Sequence, residues 1–290
     1  MSKSILGKLE LVDGKLPRVA AVHDICGYGN CSLAVALPVV SSAGVDVLPI
    51  PTSVLSAHTG FPSYTFLDTT DQLNDYIDNW QELEVEVNGI YTGFLGSEEQ
   101  IDIIKRLHSL YPEAVTIVDP VMGDNGEPYS TYTPELCSKM RELVPIADLL
   151  TPNLTEASIL LDEDYPGINI SATAGREIAQ KLINMGARNV VLKGIEDGDE
   201  VLNIVLSEHG DYAEVRNKLH VERIHGTGDL FASLITAGLF SGHSLVESTQ
   251  FAADFVYDAI EYSSTLPGFR LRGVNYEPMM YRITDFCLNR

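Results

Sequence analysis

The chain has 290 residues, of which 45% are hydrophobic and 21% are charged. These values are typical of a globular protein that is large enough to bury a substantial core. The formal net charge is −22 at pH 7, which argues against nucleic acid and anionic membranes as partners because both repel a negative surface. Any phosphate ligand must therefore be held by local groups such as backbone donors, a lysine or a bound cation.

The first 22 residues contain no uninterrupted apolar segment and carry six charged side chains. We therefore expect neither a secretory signal peptide nor a membrane span in this part of the chain. The four cysteines are scattered and lack the paired spacing of metal ligands, so we expect free thiols and a cytoplasmic location. These cysteines are Cys26, Cys31, Cys137 and Cys287.

Short apolar runs alternate with helical patterns along most of the chain. In chain order the predicted elements are strand 18–22, helix 32–43, strand 45–50, helix 67–80, strand 89–91, helix 97–110, strand 115–118, helix 134–143, strand 147–150, helix 153–161, helix 172–185, strand 189–192, an antiparallel hairpin at 200–206 and 211–215, and helices 229–239 and 245–262. The alternation predicts an α/β fold with a mainly parallel central sheet, covered by helices on both faces and edged by the hairpin.

No linker interrupts this pattern, and the chain has no low-complexity stretch. We therefore predict one domain over residues 1–290. Its core would span residues 17–265, between an N-terminal extension at 1–16 and a C-terminal tail at 266–290.

Polar residues and glycines follow most of the predicted strands. In open parallel sheets, ligands bind beyond the carboxyl ends of the strands, so we expect a site along this rim. The residues at these positions include His23, Asp24, Thr52, Phe94, Asp119, Asp124, Thr151, Asn153 and Lys193.

The sequence Ile-His-Gly-Thr-Gly-Asp at 224–229 places two glycines and a carboxylate immediately before a predicted helix. Glycines allow successive N–H groups to turn toward one point, and a helix start adds unpaired donors, so this turn suits an anion. Asp229 either caps the helix or takes a proton from a hydroxyl that attacks a phosphate. We expect the helix start to stabilise its anion and so to lower its basicity.

Several polar residues after the predicted strands also have more than one interpretation. Asp119 and Asp124 flank a tight turn and could bind a hard divalent cation near phosphate oxygens, or Asp119 could cap the turn while Asp124 is solvated. Asn153 and Glu156 have the spacing of a capping box at a helix start. Lys193 follows an apolar strand and either reaches a phosphate or is solvated.

Several other sites are disfavoured by their spacing. The sequence contains no P-loop, and the first glycine-rich turn, 27–30, lacks the third glycine of a dinucleotide-binding fold. His23, His58 and His225 do not have a spacing typical of zinc ligands. A Rossmann oxidoreductase is therefore a distant alternative.

Six ordered segments carry a resemblance to a known family. They are Gly-Tyr-Gly-Asn-Cys-Ser at 27–32, Pro-Ile-Pro-Thr at 49–52 with Ser-Ala-His-Thr-Gly at 56–60, Tyr-Thr-Gly-Phe-Leu-Gly-Ser at 91–97, Asp-Pro-Val-Met-Gly-Asp at 119–124, Thr-Pro-Asn-Leu-Thr-Glu at 151–156 and Gly-Thr-Gly-Asp at 226–229. Over nearly its whole length the chain resembles the pyridoxal kinases of the ribokinase-like superfamily, which implies a three-layer α/β/α fold. The 119–123 and 151–153 segments are shared with hydroxymethylpyrimidine kinases.

The resemblance implies an ATP-dependent kinase that phosphorylates the 5′-hydroxymethyl group of pyridoxal or a related B6 vitamer. Asp229 would accept the proton of that hydroxyl, and Gly226, Thr227 and Gly228 would hold the γ-phosphate. The implied acceptor-binding residues are His23, Thr52, His58, Phe94 and Asp229, and the implied nucleotide-binding residues are Asp119, Thr151, Asn153, Glu156 and Lys193. The resemblance also implies Mg²⁺ near Asp124 and Glu156, largely through water, a monovalent cation such as K⁺, and a homodimer.

The chain departs from the family at two positions of the vitamin pocket. His23 stands where a serine is common, and Phe94 stands where a tyrosine is common. Phosphoryl transfer is thus better specified than the acceptor, and a kinase for hydroxymethylpyrimidine or another small ring alcohol is an alternative. A non-catalytic protein that binds a vitamin or phosphate is another. Residues 123–133 form either a lid over the nucleotide or a simple surface loop.

Overall fold

The computed structural model describes residues 15–288. The predicted N-terminal extension therefore lies outside the described residues except for residues 15 and 16, and residues 289 and 290 also lie outside them. Between residues 15 and 288, no helix is both long and apolar enough to cross a membrane.

Nine strands of the described chain form one mixed sheet, and two more form a small hairpin. The strands are β1 (Arg18–Cys26), β2 (Asp46–Leu55), β3 (Phe66–Asp68), β4 (Gly89–Thr92), β5 (Val115–Val118), β6 (Gly123–Asp124), β7 (Glu127–Pro128), β8 (Leu149–Leu150), β9 (Asn189–Asp197), β10 (Glu200–Ser207) and β11 (Tyr212–Lys218). The order across the main sheet is β11-β10-β9-β8-β5-β4-β1-β2-β3, while β6 and β7 pair with each other.

Helices occupy most of the segments between these strands. They are α1 (Leu33–Ser41), α2 (Thr70–Glu82), α3 (Glu98–Leu110), α4 (Pro134–Met140), α5 (Leu154–Leu161), α6 (Ala172–Asn184), α7 (Thr227–Phe240), α8 (Leu245–Ser264), α9 (Phe269–Arg272) and α10 (Met280–Leu288). Two 3-10 helices, Arg141–Ile146 and Glu277–Met279, precede β8 and α10.

The pairing confirms the predicted mainly parallel sheet and its edge hairpin. The strands from β9 to β2 in the sheet order are parallel, and β10 pairs antiparallel with both β9 and β11. At the opposite edge of the sheet the prediction was wrong. A helix was expected from residue 67, but β3 lies there and pairs antiparallel with β2. The helix begins at Thr70 instead, and Asp68 Oδ1 accepts a hydrogen bond from the Thr70 N–H at 2.8 Å.

β1 and β2 run past their predicted ends and contain an irregularity where they approach the rim. His23 pairs with Pro51 but Ile25 pairs with Val54, so Asp24 faces two residues of the neighbouring strand. Bulges of this kind re-aim side chains and are frequent beside functional sites. Here the extra residue lies in β2, at Thr52 and Ser53, which are opposite Asp24 at the predicted rim.

Strand side chains alternate between two core clusters, which lie on opposite faces of the sheet. Ala20 and Val22 join the cluster under α2 to α6, whereas Val19 joins the cluster under α1, α7, α8 and α10. This arrangement gives the three layers of the predicted α/β/α fold. α7 is buried from Leu230 to Phe240 and is therefore a rigid element from which the 226–229 turn projects.

The segment after residue 265, expected to be a tail, packs on the α7 face of the molecule. Val274, Ile283 and Cys287 are buried in that core cluster, and Gly273 forms a β-bridge with Asn30 in the turn after β1. The segment thus contributes to the layer that supports the rim. The assignment of all 290 residues to one domain stays a prediction.

Candidate active site

One cavity of about 430 Å³ lies between the carboxyl ends of the strands and the amino end of α7. Its polar end is lined by Asp119, Glu156, Lys193 and residues 226–229, and its apolar end by residues of β10, α8 and the segment after β11. The predicted site residues that line it are Asp119, Asp124, Asn153, Glu156, Lys193, Gly226, Thr227, Gly228 and Asp229. Those that do not line it are His23, Thr52, His58, Phe94 and Thr151.

The 226–229 turn has the geometry of an anion site. Gly226 is the N-cap of α7 at φ +81°, and a Cβ at this position would overlap the carbonyl oxygen of Asn30. Only glycine satisfies both constraints. The first intrahelical bond of α7 runs from the Leu230 N–H to the Gly226 carbonyl at 2.9 Å. The N–H groups of residues 227–229 therefore have no acceptor within the helix, and these residues line the cavity at the positive end of the helix dipole.

Asp229 is not the N-cap of α7, so that interpretation of the sequence is wrong. It is the third residue of the helix and contributes to the cavity wall. Burial, reinforced by the Asp119 carboxylate, raises the pKa of Asp229 to about 7, against the opposing effects of the Ser32 backbone and Lys193. The expected lower basicity is therefore also wrong, because desolvation outweighs the helix start.

Asp119 and Lys193 form a buried ion pair in the polar end of the cavity. The Lys193 Nζ lies 2.5 Å from Asp119 Oδ1 and 3.9 Å from Glu156 Oε2. Thr151 Oγ1 donates to the same Asp119 oxygen at 2.9 Å, whereas Asp119 Oδ2 has no partner. Although burial disfavours the lysine charge, the two carboxylates raise the pKa of Lys193, so it stays protonated. Thr151 thus supports the site through Asp119.

Asn153 and Glu156 form the predicted capping box at the start of α5. Asn153 Oδ1 accepts from the Glu156 N–H at 2.9 Å, and Glu156 Oε2 accepts from the Asn153 N–H at 2.7 Å. Glu156 also lines the cavity, where burial and the Asp119 carboxylate raise its pKa to about 8 against the effect of Lys193. The same side chain is therefore both a cap and a titratable group of the site.

Residues 123–128 form the β6–β7 hairpin over the amino end of α5. Asn153 Nδ2 donates to the Gly123 carbonyl at 2.9 Å, and the Gly126 N–H donates to Thr155 Oγ1 at 2.9 Å. Asp124 is exposed at the cavity mouth and accepts hydrogen bonds from Asn125 at 2.9 and 3.1 Å. The hairpin thus places Asp124 beside the cavity while tying its own backbone to α5.

The acceptor group, which we define as His23, Thr52, His58 and Phe94, is mostly paired within the protein. Thr52 Oγ1 donates to the Phe94 carbonyl at 3.1 Å. His58 Nδ1 accepts from the Gly60 N–H at 3.1 Å, so its Nε2–H donates to the Leu271 carbonyl at 2.8 Å. The acceptor roles of these side chains stay predictions.

His23 is the exception in the acceptor group, because neither of its buried ring nitrogens makes a hydrogen bond of normal geometry. Its ring lies edge-on to Tyr91 with centroids 4.4 Å apart, and a Cβ at Gly93 would overlap it. Burial lowers the pKa of His23 to about 3, against a smaller opposing effect of the Tyr91 backbone. The imidazole is therefore neutral at physiological pH.

The apolar end of the cavity was missed by the sequence analysis. It is lined by Val201, Leu219, His220, Val256 and Tyr257, and the last aromatic ring lies edge-on to His220 at 5.9 Å. A usable signal existed, because β11 is antiparallel to β10 and therefore ends at the same rim as the parallel strands. The rule that ligands bind beyond strand ends would have named Leu219 and His220.

Comparison with known proteins assigns the chain to a family. The family model described as phosphomethylpyrimidine kinase matches residues 67–270, more than two thirds of the chain. The chain belongs to this kinase family. Among individual proteins, a pyridoxal kinase from Arabidopsis thaliana is 32% identical over 230 residues, which cover 73% of this chain and 70% of that protein.

Two further relatives extend this finding within the family. A chloroplastic bifunctional enzyme of thiamine biosynthesis from Arabidopsis thaliana is 29% identical over 87% of this chain, although the chain spans only 48% of that enzyme's length. A solved structure of a proposed phosphomethylpyrimidine kinase from Bacteroides thetaiotaomicron, crystallised with pyridoxal, is 34% identical. Its TM-score is 0.88, and the match covers 93% of this chain and 96% of that chain. The resemblance to pyridoxal kinases and the ribokinase-like fold are confirmed.

Proposed function

We propose that this protein transfers the γ-phosphoryl group of ATP to the 5′-hydroxymethyl group of pyridoxal or a related B6 vitamer. The observation that carries the proposal is the cavity in which the 226–229 turn, Lys193 and Asp119 meet. Membership of a kinase family supports the reaction type. The pyridoxal in the crystals of a homologue with 34% identity supports the acceptor class.

The polar end of the cavity provides the groups that phosphoryl transfer needs. The N–H groups at the start of α7 and the Lys193 ammonium would hold the phosphate oxygens, which carry more negative charge as transfer proceeds. Asp229, whose pKa is raised to about 7 by burial, would take the proton of the attacking hydroxyl. The alcohol oxygen then bonds to the γ-phosphorus, and ADP leaves. Positioning and charge stabilisation contribute most in such a loose transition state.

The apolar end of the cavity would hold the adenine of the nucleotide. Val201, Leu219 and Val256 offer an apolar surface there, and the Tyr257 and His220 rings lie beside it. An apolar surface with a few polar groups is typical of sites for flat ring systems. ATP would therefore span the cavity, with its base at the apolar end and its phosphates near Lys193.

The polar end also fits a divalent cation. Asp119 Oδ2 is buried without a partner, and burial together with the nearby Asp119 carboxylate raises the pKa of Glu156 to about 8. A cation would relieve both conditions. Between residues 15 and 288, no three His, Cys, Asp or Glu side chains are close enough together to form a metal site by themselves. Asp119, Asp124 and Glu156 would therefore hold Mg²⁺ largely through water molecules and the phosphate oxygens of the nucleotide. Bound Mg²⁺ would supply charge neutralisation for the phosphates.

The remaining family expectations are part of the same proposal. We infer a monovalent cation such as K⁺ near the phosphates, a homodimer and a cytoplasmic location. A B6 vitamer and ATP are the proposed partners, without nucleic acid or membrane. The net charge of −22 favours these last two exclusions.

A second candidate is a hydroxymethylpyrimidine or phosphomethylpyrimidine kinase. It is favoured by the description of the matching family model and by the thiamine enzyme among the relatives. Both candidates would hold the transferred phosphate with the same residues. They differ in the acceptor, which is a pyridine alcohol in the first and, in the second, a pyrimidine that carries a hydroxymethyl or phosphomethyl group. A non-catalytic vitamin-binding or phosphate-binding protein is disfavoured by the intact 226–229 turn beside Asp119 and Lys193.

An acceptor panel tests the proposal. The full-length protein is mixed with ATP, MgCl₂ and one of four alcohols: pyridoxal, pyridoxamine, pyridoxine or hydroxymethylpyrimidine. ADP release and the phosphorylated product are measured, with Asp229→Asn as the inactive control. We expect the highest kcat/KM with a B6 vitamer. A preference for hydroxymethylpyrimidine would assign the second candidate, and intact ATP binding without transfer to any acceptor would assign the non-catalytic one.

A further inference from the structure

His225 lies at the junction between the cavity and the acceptor group. It directly precedes the 226–229 turn, lines the cavity and is exposed. On its other side the imidazole contacts the His58 ring, with the two centroids 5.0 Å apart. A Cβ built on Gly60, in the loop between β2 and β3, would lie 3.1 Å from His225 Nε2. The side chain of His225 therefore links the cavity wall to the acceptor group.

The neighbours of His225 hold it in this position. The His58 ring is fixed by its two hydrogen bonds, to the Gly60 N–H and to the Leu271 carbonyl. Burial lowers the pKa of His58, which favours the neutral ring that these two bonds require. The His225 carbonyl accepts a hydrogen bond from the Val274 N–H at 2.9 Å. The His225 imidazole is thus placed before any ligand binds, which lowers the entropic cost of using it.

The 226–229 turn lies between two side chains that can donate hydrogen bonds. Lys193 Nζ would be 3.8 Å from a Cβ at Gly228, near the end of the turn, and it is held there by Asp119 at 2.5 Å. His225 stands at the start of the turn, next to the acceptor group. An imidazole carries at least one N–H in every common protonation state. A phosphoryl group over the turn would therefore have the ammonium on one side and the imidazole on the other.

We propose that His225 is a further catalytic residue, whose imidazole N–H donates a hydrogen bond to the transferred phosphoryl group on the side from which the acceptor hydroxyl attacks. The inference rests on the proposed function. During transfer, the bond from the γ-phosphorus to the bridging oxygen of ADP breaks, the bond to the acceptor oxygen forms, and Asp229 takes the proton of the hydroxyl. Lys193 stays with the phosphates of ADP, whereas His225 holds the oxygens of the phosphoryl group as it moves toward the acceptor.

This position makes the hydrogen bond from His225 stronger in the transition state than in the complex with ATP. An interaction of this kind changes kcat, whereas one that is equally strong in both states changes KM. His220 provides the contrast, because it lines the apolar end of the cavity beside Tyr257. There it would contact the base, which does not move during transfer. Loss of the His225 ring should therefore lower kcat, and loss of the His220 ring should raise KM for ATP.

NMR of the histidine rings tests the phosphate contact without any reference to activity. The full-length protein is labelled with ¹³C-histidine, and signals are assigned with His225→Gln, His220→Leu and His209→Leu. With MgCl₂, a non-hydrolysable ATP analogue should shift the signals of His225 and His220, whereas adenosine should shift only that of His220. His209, exposed in the turn between β10 and β11, is the matched control and should not respond.

The other NMR outcomes separate the two proposals. If the ATP analogue shifts the His220 signal and leaves the His225 signal in place, the nucleotide binds in the cavity but the role of His225 is overturned. The same conclusion holds if adenosine shifts both signals equally, because the phosphates then have no part in the effect. If the analogue shifts neither signal, nucleotide binding in the cavity is overturned, and the proposed function fails with it.

Steady-state kinetics tests the hydrogen bond itself. His225→Leu removes the donor and should lower kcat by about tenfold to a hundredfold, the value of one hydrogen bond to a charged group, with KM for ATP nearly unchanged. His225→Gln keeps an N–H and should recover most of the rate, and His209→Leu should behave as wild type. Equal losses of kcat in the Leu and Gln variants, or a raised KM for ATP with full kcat, would overturn the proposal.

Discussion

The polar end of the cavity and the acceptor group differ in how their polar atoms are paired. In the cavity, Asp119 Oδ2 and Asp229 Oδ1 are buried without partners and face a space that a ligand can enter. In the acceptor group, the Thr52 hydroxyl and both His58 nitrogens are bound to backbone groups. His23 is the exception in that group, because its buried ring nitrogens lack partners as the two cavity oxygens do. On the proposed function, the polar end would bind phosphate and cation with oxygens that are already free, whereas Thr52 and His58 would have to exchange partners to bind a ring. Exchange of this kind costs affinity but permits selection among rings.

The largest expected effect follows from removing the proposed base at the polar end. Asp229→Asn should lower kcat by about 10²–10⁴, the range found for positioned acid–base groups, while nucleotide affinity measured by calorimetry changes little. Asp75→Asn, an exposed carboxylate on α2, is the matched control and should behave as wild type. Near-normal turnover of Asp229→Asn would remove Asp229 from the mechanism.

The next effect concerns the buried ion pair. Lys193→Met leaves Asp119 without its cation and should cost about 3–5 kcal/mol in the free energy of unfolding, measured by denaturant titration. It should also raise KM for ATP. The double variant Lys193→Met/Asp119→Asn should recover most of the stability but not the nucleotide affinity. Recovery of both would show that Lys193 has only a structural role.

The pH dependence of the rate follows from the raised pKa of Asp229. Since the base must be ionised, kcat/KM should fall about tenfold per pH unit below about pH 7. The free energy of unfolding changes with pH in the opposite direction to the rate. The folded pKa is raised, so the folded state binds the proton more tightly, and stability is lost as the pH rises from about 4 to about 7. Asp229→Asn should therefore be more stable than wild type at pH 8 but not at pH 4.

A smaller effect is expected from Gly226 in the 226–229 turn. Gly226→Ala places a methyl group against the Asn30 carbonyl at φ +81° and should destabilise the fold by about 1–3 kcal/mol, with a raised KM for ATP. Gly198→Ala separates the two causes, because this glycine has φ +68° but nothing within 4 Å of the added Cβ. If both variants lose the same stability and bind ATP equally well, the overlap with Asn30 has no role.

The smallest effect is expected in the acceptor group. Thr52→Val removes the hydroxyl that donates to the Phe94 carbonyl. It should raise KM for the vitamer by about tenfold or less, the value of one neutral hydrogen bond, and leave KM for ATP unchanged. Steady-state kinetics with each substrate varied separately will show this. An equal rise in both KM values would mean that Thr52 acts on the whole rim and not on the acceptor.

The parts of the fold that were predictable are those with local signals. The alternation of strands and helices gave the three layers, and the spacing of Asn153 and Glu156 gave a capping box. Strand ends with partners distant in sequence were not predictable. β2 extends to Leu55 because β1 continues to pair with it as far as Cys26. β3 forms because this extended end of β2 offers it a partner.

The same distinction applies to the site. The 226–229 motif predicted a turn suited to an anion, but its flanking residues could not reveal that Asp229 is buried near Asp119. Its pKa direction depends on that nonlocal burial, which is why the helix-dipole argument gave the wrong sign. Leu219 and His220 were missed for a different reason, since the strand-end rule was applied only to parallel strands.

The bridge between Asn30 and Gly273 also has a consequence for protein synthesis. The turn after β1 leaves the ribosome early, but the backbone groups that pair with it belong to residues 272–274. The chain is synthesised from its amino end at about 5–20 residues per second, and a domain generally folds as a unit. The turn after β1, which packs against the 226–229 turn, therefore gains these partners only when nearly the entire chain has been translated. A nascent polypeptide could not hold it in its final form before that point.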